Sequence, residues 1–538
     1  MQPERRRFLK LAGLGAGALA CGRAAFGPER GVPAVPAALA QTGPDLELAL
    51  EAGLEPIALR PDCVETMLRY RARVIAGDPA AVWDPGPPFP GPVLRARRGQ
   101  RLRIHFRNAL AEPTTVHWHG LEMPDDMDGH PRHAVEPGAG RVYDFALRNQ
   151  PATYWFHPHP HGRTAWQVYH GLAGLLLIDP AESQPAEAMP RELALVLQDR
   201  RFDAAGALVY DPTPMGFLGD EVFVNGRPAP ELRVPAEPLR LRLLNGATHR
   251  SFKLGWSDGR PVRVLGTDGG ALEPALDKPY AMLAPGQRLT LLADFGPLAE
   301  DGELRLEHLG FEDGAGGMMA LATRLPLAAR FPVARFRAAE PTAAATLFLP
   351  SLLRGAGSRG GWAAASPGLQ PLPPATDRPT VRSKGGRPSL PTQDGPADRS
   401  FRLLMQQGRW TLDGRSFEME AVAADERVAL GAEEVWEWIN GSGGMGMGGM
   451  MQMPHAMHLH LVQFRVVGRD PDPRFAAAYA TVRDGFVDEG WRDTVLVMPG
   501  ERVRIRARFE GFTGLYLHHC HLLEHEDGGM MRNFRVEA

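Results

Sequence analysis

Cysteine is nearly absent: the 538 residues contain three, Cys21, Cys63 and Cys520. A disulfide framework therefore cannot carry the fold, which has to rest on apolar cores and on any bound metal. Membrane-length apolar runs are missing as well, since the stretch Leu11–Ala20 is too short to cross a bilayer. The chain also lacks an excess of either charge. With 60 Lys+Arg against 63 Asp+Glu, the formal net charge of -3 argues against nucleic acid or an anionic membrane surface as a main partner. Helical periodicity never persists beyond about two turns, apart from a candidate short helix at Arg474–Tyr479, which excludes a mainly helical fold.

What is present reads as strand. VLRARRGQRLRIHFRNAL from Val93, LRLRLLNG from Leu239, GQRLTLLADF from Gly286, EEVWEWING from Glu433 and GERVRIRARFEG from Gly500 alternate or run apolar between turn residues. A Gly-Gln/Glu-Arg phrase opens a strand at Gly99, Gly286 and Gly500, which predicts one β-sandwich module repeated three times in an all-β, Greek-key fold. The expected divisions are 41–185, 186–335 and 400–538, with a Pro/Gly-rich linker or insertion at 336–399 that cannot bury a core. Residues 1–40 read as an export signal: Arg5, Arg6 and Arg7 followed by Phe8, Leu9 and Lys10 form a twin-arginine pattern ahead of the apolar run. Cleavage after Ala38-Leu39-Ala40 would leave a periplasmic or otherwise exported protein with no stable membrane insertion.

Histidine is concentrated in four places. HWHG holds His117 and His119, HPHPHG holds His157, His159 and His161, and HAMHLHLVQF holds His455, His458 and His460. The fourth, HHCHLLEHEDGGMM from His518 to Met531, adds His519, Cys520, His521, His525 and Met530. On a strand, His519 and His521 leave one face while Cys520 leaves the other, so one metal could sit on the thiolate and others on the imidazoles. A soft thiolate, imidazoles and a weak axial thioether form a blue-copper ligand set. A lone His-x-His is usually a chance pair on a solvated strand. Four clusters holding eleven of the eighteen histidines, His518 aside, are a metal signature.

From about residue 46 to its end the chain resembles the three-domain multicopper oxidases. WFHPHPHG, GLAGLLLI and HLLEHEDGGMM are similar in wording to bacterial copper-efflux oxidases and laccase-like enzymes. The resemblance implies three cupredoxin-like domains and four copper ions. His455, Cys520 and His525, with Met530 axial, would hold the type 1 copper, and His117 and His458 the type 2 copper. His119, His157, His159, His460, His519 and His521 would hold the type 3 pair. His161 and His518 are left as structural or supporting residues, and His130, His133 and His170 match no ligand position. Electrons taken one at a time at the type 1 copper would pass through Cys520 to His519 or His521 and reduce O2 to water. Asp128 in PDDMDG and Glu526 in HEDGG match acids that related enzymes use to supply protons.

The donor is approached through GSGGMGMGGMMQMPHAMH, which crowds Met445, Met447, Met450, Met451, Met453 and Met457 around His455. Glycine at this density excludes a stable helix, and flexible thioethers suit soft Cu(I). Cuprous-ion oxidation in copper tolerance is the leading expectation, and a laccase-like oxidation of phenols or aromatic amines is the alternative. Related copper-efflux enzymes place acids around the substrate copper, whereas this stretch has none between Gly441 and His455. A non-catalytic copper-binding or scaffold protein is the remote third reading, disfavoured by the intact ligand set.

Overall fold

The computed structural model describes residues 43–181, 190–298, 302–314, 321–338, 396–441 and 453–538. The signal, most of the 336–399 segment, and Met445, Met447, Met450 and Met451 lie outside the described residues.

Strand pairing builds six sheets, two from strands between Leu46 and Asp179, two between Glu192 and Ala338, and two between Arg399 and Glu537. The three pairs share the topology of their central strands and differ at the sheet edges. In the first sheet of each, a long strand pairs in parallel with the next strand, as Leu46–Arg60 does with Arg101–Asn108. Glu192–Phe202 with Pro238–Asn245, and Arg399–Gln406 with Glu433–Ile439, repeat the arrangement. Alternation explains the burial: in Arg101–Asn108, Leu102, Ile104 and Phe106 point into the core while Arg101, Arg103, His105 and Arg107 alternate with them on the more exposed face. These are three cupredoxin-like β-sandwiches.

The Gly-Gln/Glu-Arg phrases do open strands, but they do not mark one repeated position. The strands after Gly286 and Gly500, Arg288–Asp294 and Glu501–Arg508, lie antiparallel to Pro238–Asn245 and Glu433–Ile439. Their counterpart in the first sandwich is Gly140–Ala146, whereas the Gly99 phrase opens the strand one place earlier in the sheet. A turn through a left-handed glycine followed by polar residues suits the start of any strand, so the phrase recurs without equivalence. A better marker of the repeat is the asparagine ending Arg101–Asn108 and Pro238–Asn245 and directly following Glu433–Ile439. Asn108, Asn245 and Asn440 are buried, and each Nδ2 donates to two backbone carbonyls of the loops around it.

Each sandwich has its own apolar core, and the cores meet. Phe89, Trp155 and Leu175 of the first join Ala194, Val196 and Leu244 of the second. Ala165 and Val168, on the short helix Thr164–Tyr169, pack on Leu523 of the helix Leu523–Asp527 in the third. At about 1.5–3 kcal/mol for each large apolar side chain buried, these seams fix the sandwiches against one another. A 3-10 turn at Pro473–Phe475 runs into the helix Ala476–Ala480, where the sequence suggests a short helix. Among the described residues no helix is long and apolar enough to cross a membrane.

Candidate metal centre

Two antiparallel strand pairs in equivalent positions of the first and third sandwiches carry most of the histidines. His117–His119 lies antiparallel to Ala152–His157, with His117 opposite His157. His455–Leu459 lies antiparallel to Gly514–Cys520, with Met457 opposite Cys520 and His458 opposite His519. Pleating therefore sends His455 and Cys520 to one face and His458, His519 and His521 to the other. The corresponding pair in the middle sandwich, Phe252–Trp256 and Glu303–His308, carries His308 alone, whose ring accepts from the Lys253 amide and donates to the Leu327 carbonyl.

On the first face, Cys520 Sγ stands 3.5 Å from His455 Nδ1 and 3.7 Å from His525 Nδ1, and those two nitrogens are 3.3 Å apart. The helix Leu523–Asp527 turns His525 back beside Cys520. Met530 is buried next to them, its amide donating to the His525 carbonyl and its carbonyl accepting from the Cys520 amide. Trp410 stacks on the His525 ring at 4.0 Å, and His249 meets the same ring edge-on at 5.3 Å. His525 Nε2 donates to the Met215 carbonyl at 3.3 Å, which leaves the Nδ1 lone pair facing the sulfur. Burial pushes the Cys520 thiol up and the His455 imidazole down to about 3. So dry a pocket disfavours a bare thiolate, and a bound cation is what would hold the sulfur deprotonated.

On the second face eight buried histidines converge: His117, His119, His157, His159, His458, His460, His519 and His521. Their outer nitrogens meet oxygens. His117 Nδ1 donates to the Asp128 carbonyl and His458 Nδ1 to the Asp493 carbonyl, both at 2.7 Å. His157 Nδ1 donates to the Pro158 carbonyl, His460 Nδ1 to Asp128 Oδ2 at 2.7 Å, and His119 Nε2 to Asp493 Oδ1 at 3.0 Å. Glu526 lies 3.3 Å from His159 Nδ1 and 3.2 Å from His519 Nδ1, which also directs its N–H to the Cys520 carbonyl.

With the outer nitrogens protonated, the inner ones present lone pairs to one another. His119 Nδ1 is 3.4 Å from His157 Nε2, and His519 Nε2 is 3.1 Å from His460 Nε2 and 3.3 Å from His159 Nε2. The Nε2 atoms of His117 and His458 and both ring nitrogens of His521 are buried without a hydrogen-bond partner. Burial lowers the His117 imidazole to about 3 and drives those of His119, His157, His159, His458, His460 and His521 well down, so protons do not settle these contacts. Neutral lone pairs packed face to face are costly unless cations sit among them. The donor set fits copper.

All the sequence-expected ligands in the described residues are thus gathered, together with Asp128 and Glu526. His161 is exposed and packs on Phe417 at 4.9 Å. His518 points away from the cluster into the third core, against Phe401 and Trp436, as alternation with His519 requires. His130 and His170 bind Asn533 and the Trp166 carbonyl instead. Cys63 is buried and free, with its thiol 3.9 Å from Glu65. Met453 is buried beside Pro454 and lines a cleft with His249, Asp313 and Leu522 next to His455 and His525. Sequence reasoning missed Asp493 and Arg288: neither lies in a histidine motif, and a buried acid in GWRDTV has no spacing that marks it.

Two sequence profiles of the family described as multicopper oxidase match residues 69–183 and 400–538. The chain is 28% identical over 450 residues to the multicopper oxidase mco of Staphylococcus epidermidis, an alignment covering 83% of this chain and 82% of that protein. It is 30% identical over 512 residues to a laccase of Haloferax volcanii, covering 85% and 78%. Among solved structures, the McoA multicopper oxidase of Aquifex aeolicus superposes with a TM-score of 0.67 at 28% identity, covering 92% of this chain and 97% of that one. The chain belongs to the multicopper oxidase family. It is an oxidoreductase whose cofactors are copper ions.

Proposed function

We propose that the chain holds four copper ions and couples one-electron oxidation of a donor to the four-electron reduction of O2 to water. His455, Cys520, His525 and Met530 would hold one ion; His117 and His458 would hold a second; and His119, His157, His159, His460, His519 and His521 would hold a pair. Copper bound there supplies electron acceptance at the thiolate and O2 reduction at the histidine cluster. The observation that carries this reading is the split across one strand, where Cys520 faces His455 and His525 while its neighbours His519 and His521 face the cluster. A few covalent bonds then link donor side and oxygen side. Asp128 and Glu526 are the proton-delivering acids of this reading, placed against the outer nitrogens of His460, His159 and His519. Glu526→Gln should lower turnover and shift its pH profile with copper content intact; an unchanged profile removes Glu526 from that role.

The donor we favour is Cu(I), in copper tolerance, with Met445, Met447, Met450, Met451 and Met453 as the capturing thioethers. Support comes from the cleft beside His455, where Met453 is joined by the imidazole of His249 and the carboxylate of Asp313. An acid, which the methionine stretch itself lacks, is thus among the residues lining that cleft. The likeness to the Haloferax volcanii laccase supports a second reading, oxidation of small phenols or aromatic amines at the same cleft. Export by the twin-arginine route, and domain limits at 41–185, 186–335 and 400–538, complete the proposal. Oxygen uptake by the copper-loaded protein with Cu(I) and with a phenol separates the two donors. Higher kcat/KM for Cu(I), lost on deleting Met445–Met451 while phenol oxidation survives, supports the cuprous reading. Equal loss of both, or a preference for the phenol, contradicts it.

A further inference from the structure

We infer that Arg288, from the one sandwich that supplies no ligand, is a positioning residue that sets the orientation of the histidine cluster. This rests on the ligand reading above. Arg288 is fully buried, and all five of its N–H groups are used. Nη1 donates to Asp493 Oδ1 at 2.7 Å and to the Gly286 carbonyl at 2.8 Å; Nη2 donates to Asp493 Oδ2 at 2.5 Å and to the Asp268 carbonyl at 3.2 Å. Nε donates to the Thr153 carbonyl at 3.0 Å. Thr153 lies on the strand ending in His157, Gly286 and Asp268 belong to the middle sandwich, and Asp493 to the third. One guanidinium therefore ties all three sandwiches at the cluster.

What it holds matters more than where it sits. Asp493 accepts from His119 Nε2 through its carboxylate and from His458 Nδ1 through its carbonyl. It thereby fixes the tautomer of one histidine from each strand pair, and those two rings stack at 3.8 Å with 12° between their planes. Space around the pair is closed: a Cβ on Gly120, next to His119, would lie 2.3 Å from Asp493 Oδ2, and one on Gly286 would lie 3.0 Å from the His521 ring. A buried carboxylate without its cation is strongly destabilised, so the Asp493 carboxylate can hold His119 only while Arg288 pairs with it, and the carbonyl that takes the His458 N–H is carried on the same residue. The fold itself does not require a buried arginine there. The equivalent residue of the third sandwich, Arg502, opposite Ile439 as Arg288 is opposite Leu244, is exposed. Lysine could restore the charge but not a planar fork reaching three sandwiches.

The test compares full-length, copper-loaded Arg288→Lys, Arg288→Met, Arg288→Met/Asp493→Asn and a His458→Ala control by copper content, electron paramagnetic resonance and the visible thiolate–copper band. In Arg288→Lys we expect the thiolate band at wild-type strength per chain, a shifted resonance of the non-blue copper, and cluster affinity lower by on the order of 10-fold. Arg288→Met should lose more cluster copper. The double variant should regain part of it, because the neutral amide that replaces the Asp493 carboxylate can still accept from His119. Wild-type resonance and copper content in both single variants would overturn the inference. So would parallel loss of the thiolate band, or a double variant no better than Arg288→Met. If Arg288→Met fails to fold, Arg288→Lys decides alone. The control separates the two claims: cluster copper lost in His458→Ala but kept in the Arg288 variants refutes Arg288 only, whereas copper kept in His458→Ala refutes the ligand set.

Discussion

An imidazole has two nitrogens, and the orientation of a metal-binding histidine is decided by what its other nitrogen touches. Asp128 illustrates the point twice, with its carbonyl accepting from His117 and its carboxylate from His460. Burial holds the Asp128 carboxyl well above the usual carboxylate range, and its Oδ2 takes the His460 Nδ1 hydrogen bond at 2.7 Å. Asp128→Ala should cost about 10–100-fold in cluster copper affinity or oxygen uptake while sparing the thiolate band, measured by copper titration and absorbance. At this scale the sequence was readable where chemistry dictates spacing. His-x-His, the Cys520 neighbourhood and the two acids inside histidine motifs could all be picked out. Arg288 and Asp493 could not, because their bond spans 205 positions and neither residue type is unusual alone.

Strands and their ends come next in scale. Alternation within Gly514–Cys520 explains both why Cys520 faces His455 while His519 faces His458, and the retreat of His518 into the third core. Strand existence was legible from period and turn residues. The register of the repeat was not, since glycine-led phrases serve any strand entry and the true marker, a buried asparagine, looks like an ordinary loop residue. Asn440 tests that marker. Its Nδ2 bonds the carbonyls of Met453, two residues before His455, and Val497, which lies opposite His455. Asn440→Leu removes both bonds and should destabilise by about 1–3 kcal/mol and weaken the thiolate–copper band. Asn245→Leu should cost similar stability with a much smaller effect on the band, because its sandwich holds no proposed ligand and reaches the thiolate site only through His249 on the His525 ring. Denaturant melts and absorbance report both, and a band weakened as much in Asn245→Leu as in Asn440→Leu would contradict this assignment.

For the molecule as a whole, the absence of a disulfide framework places stability on three joined cores and on charge burial. Several histidines outside the proposed ligand set are kept neutral, chiefly by desolvation: burial lowers His130 and His170 to about 4 and His308 to about 3. Their unfolded value is near 6.5, so below that pH the unfolded chain binds more protons than the folded one. Stability should therefore be undiminished by these groups above pH 6.5. It should fall as pH drops towards about 4, each group removing at most about 1.4 kcal/mol per pH unit. His308→Gln, able to keep both backbone bonds, should flatten that slope by about one proton in denaturant melts at stepped pH; an unchanged slope would mean His308 is not neutral in the fold.

With four coppers split between Cys520 and the histidine cluster, as proposed, the chain would store as many electrons as O2 needs for complete reduction. Anaerobic reductive titration of the copper-loaded protein measures this directly. The account predicts four electron equivalents per chain, with the thiolate band bleaching in step, and full re-oxidation by one O2 without release of peroxide. Uptake of a single equivalent, or re-oxidation that yields peroxide, would contradict it.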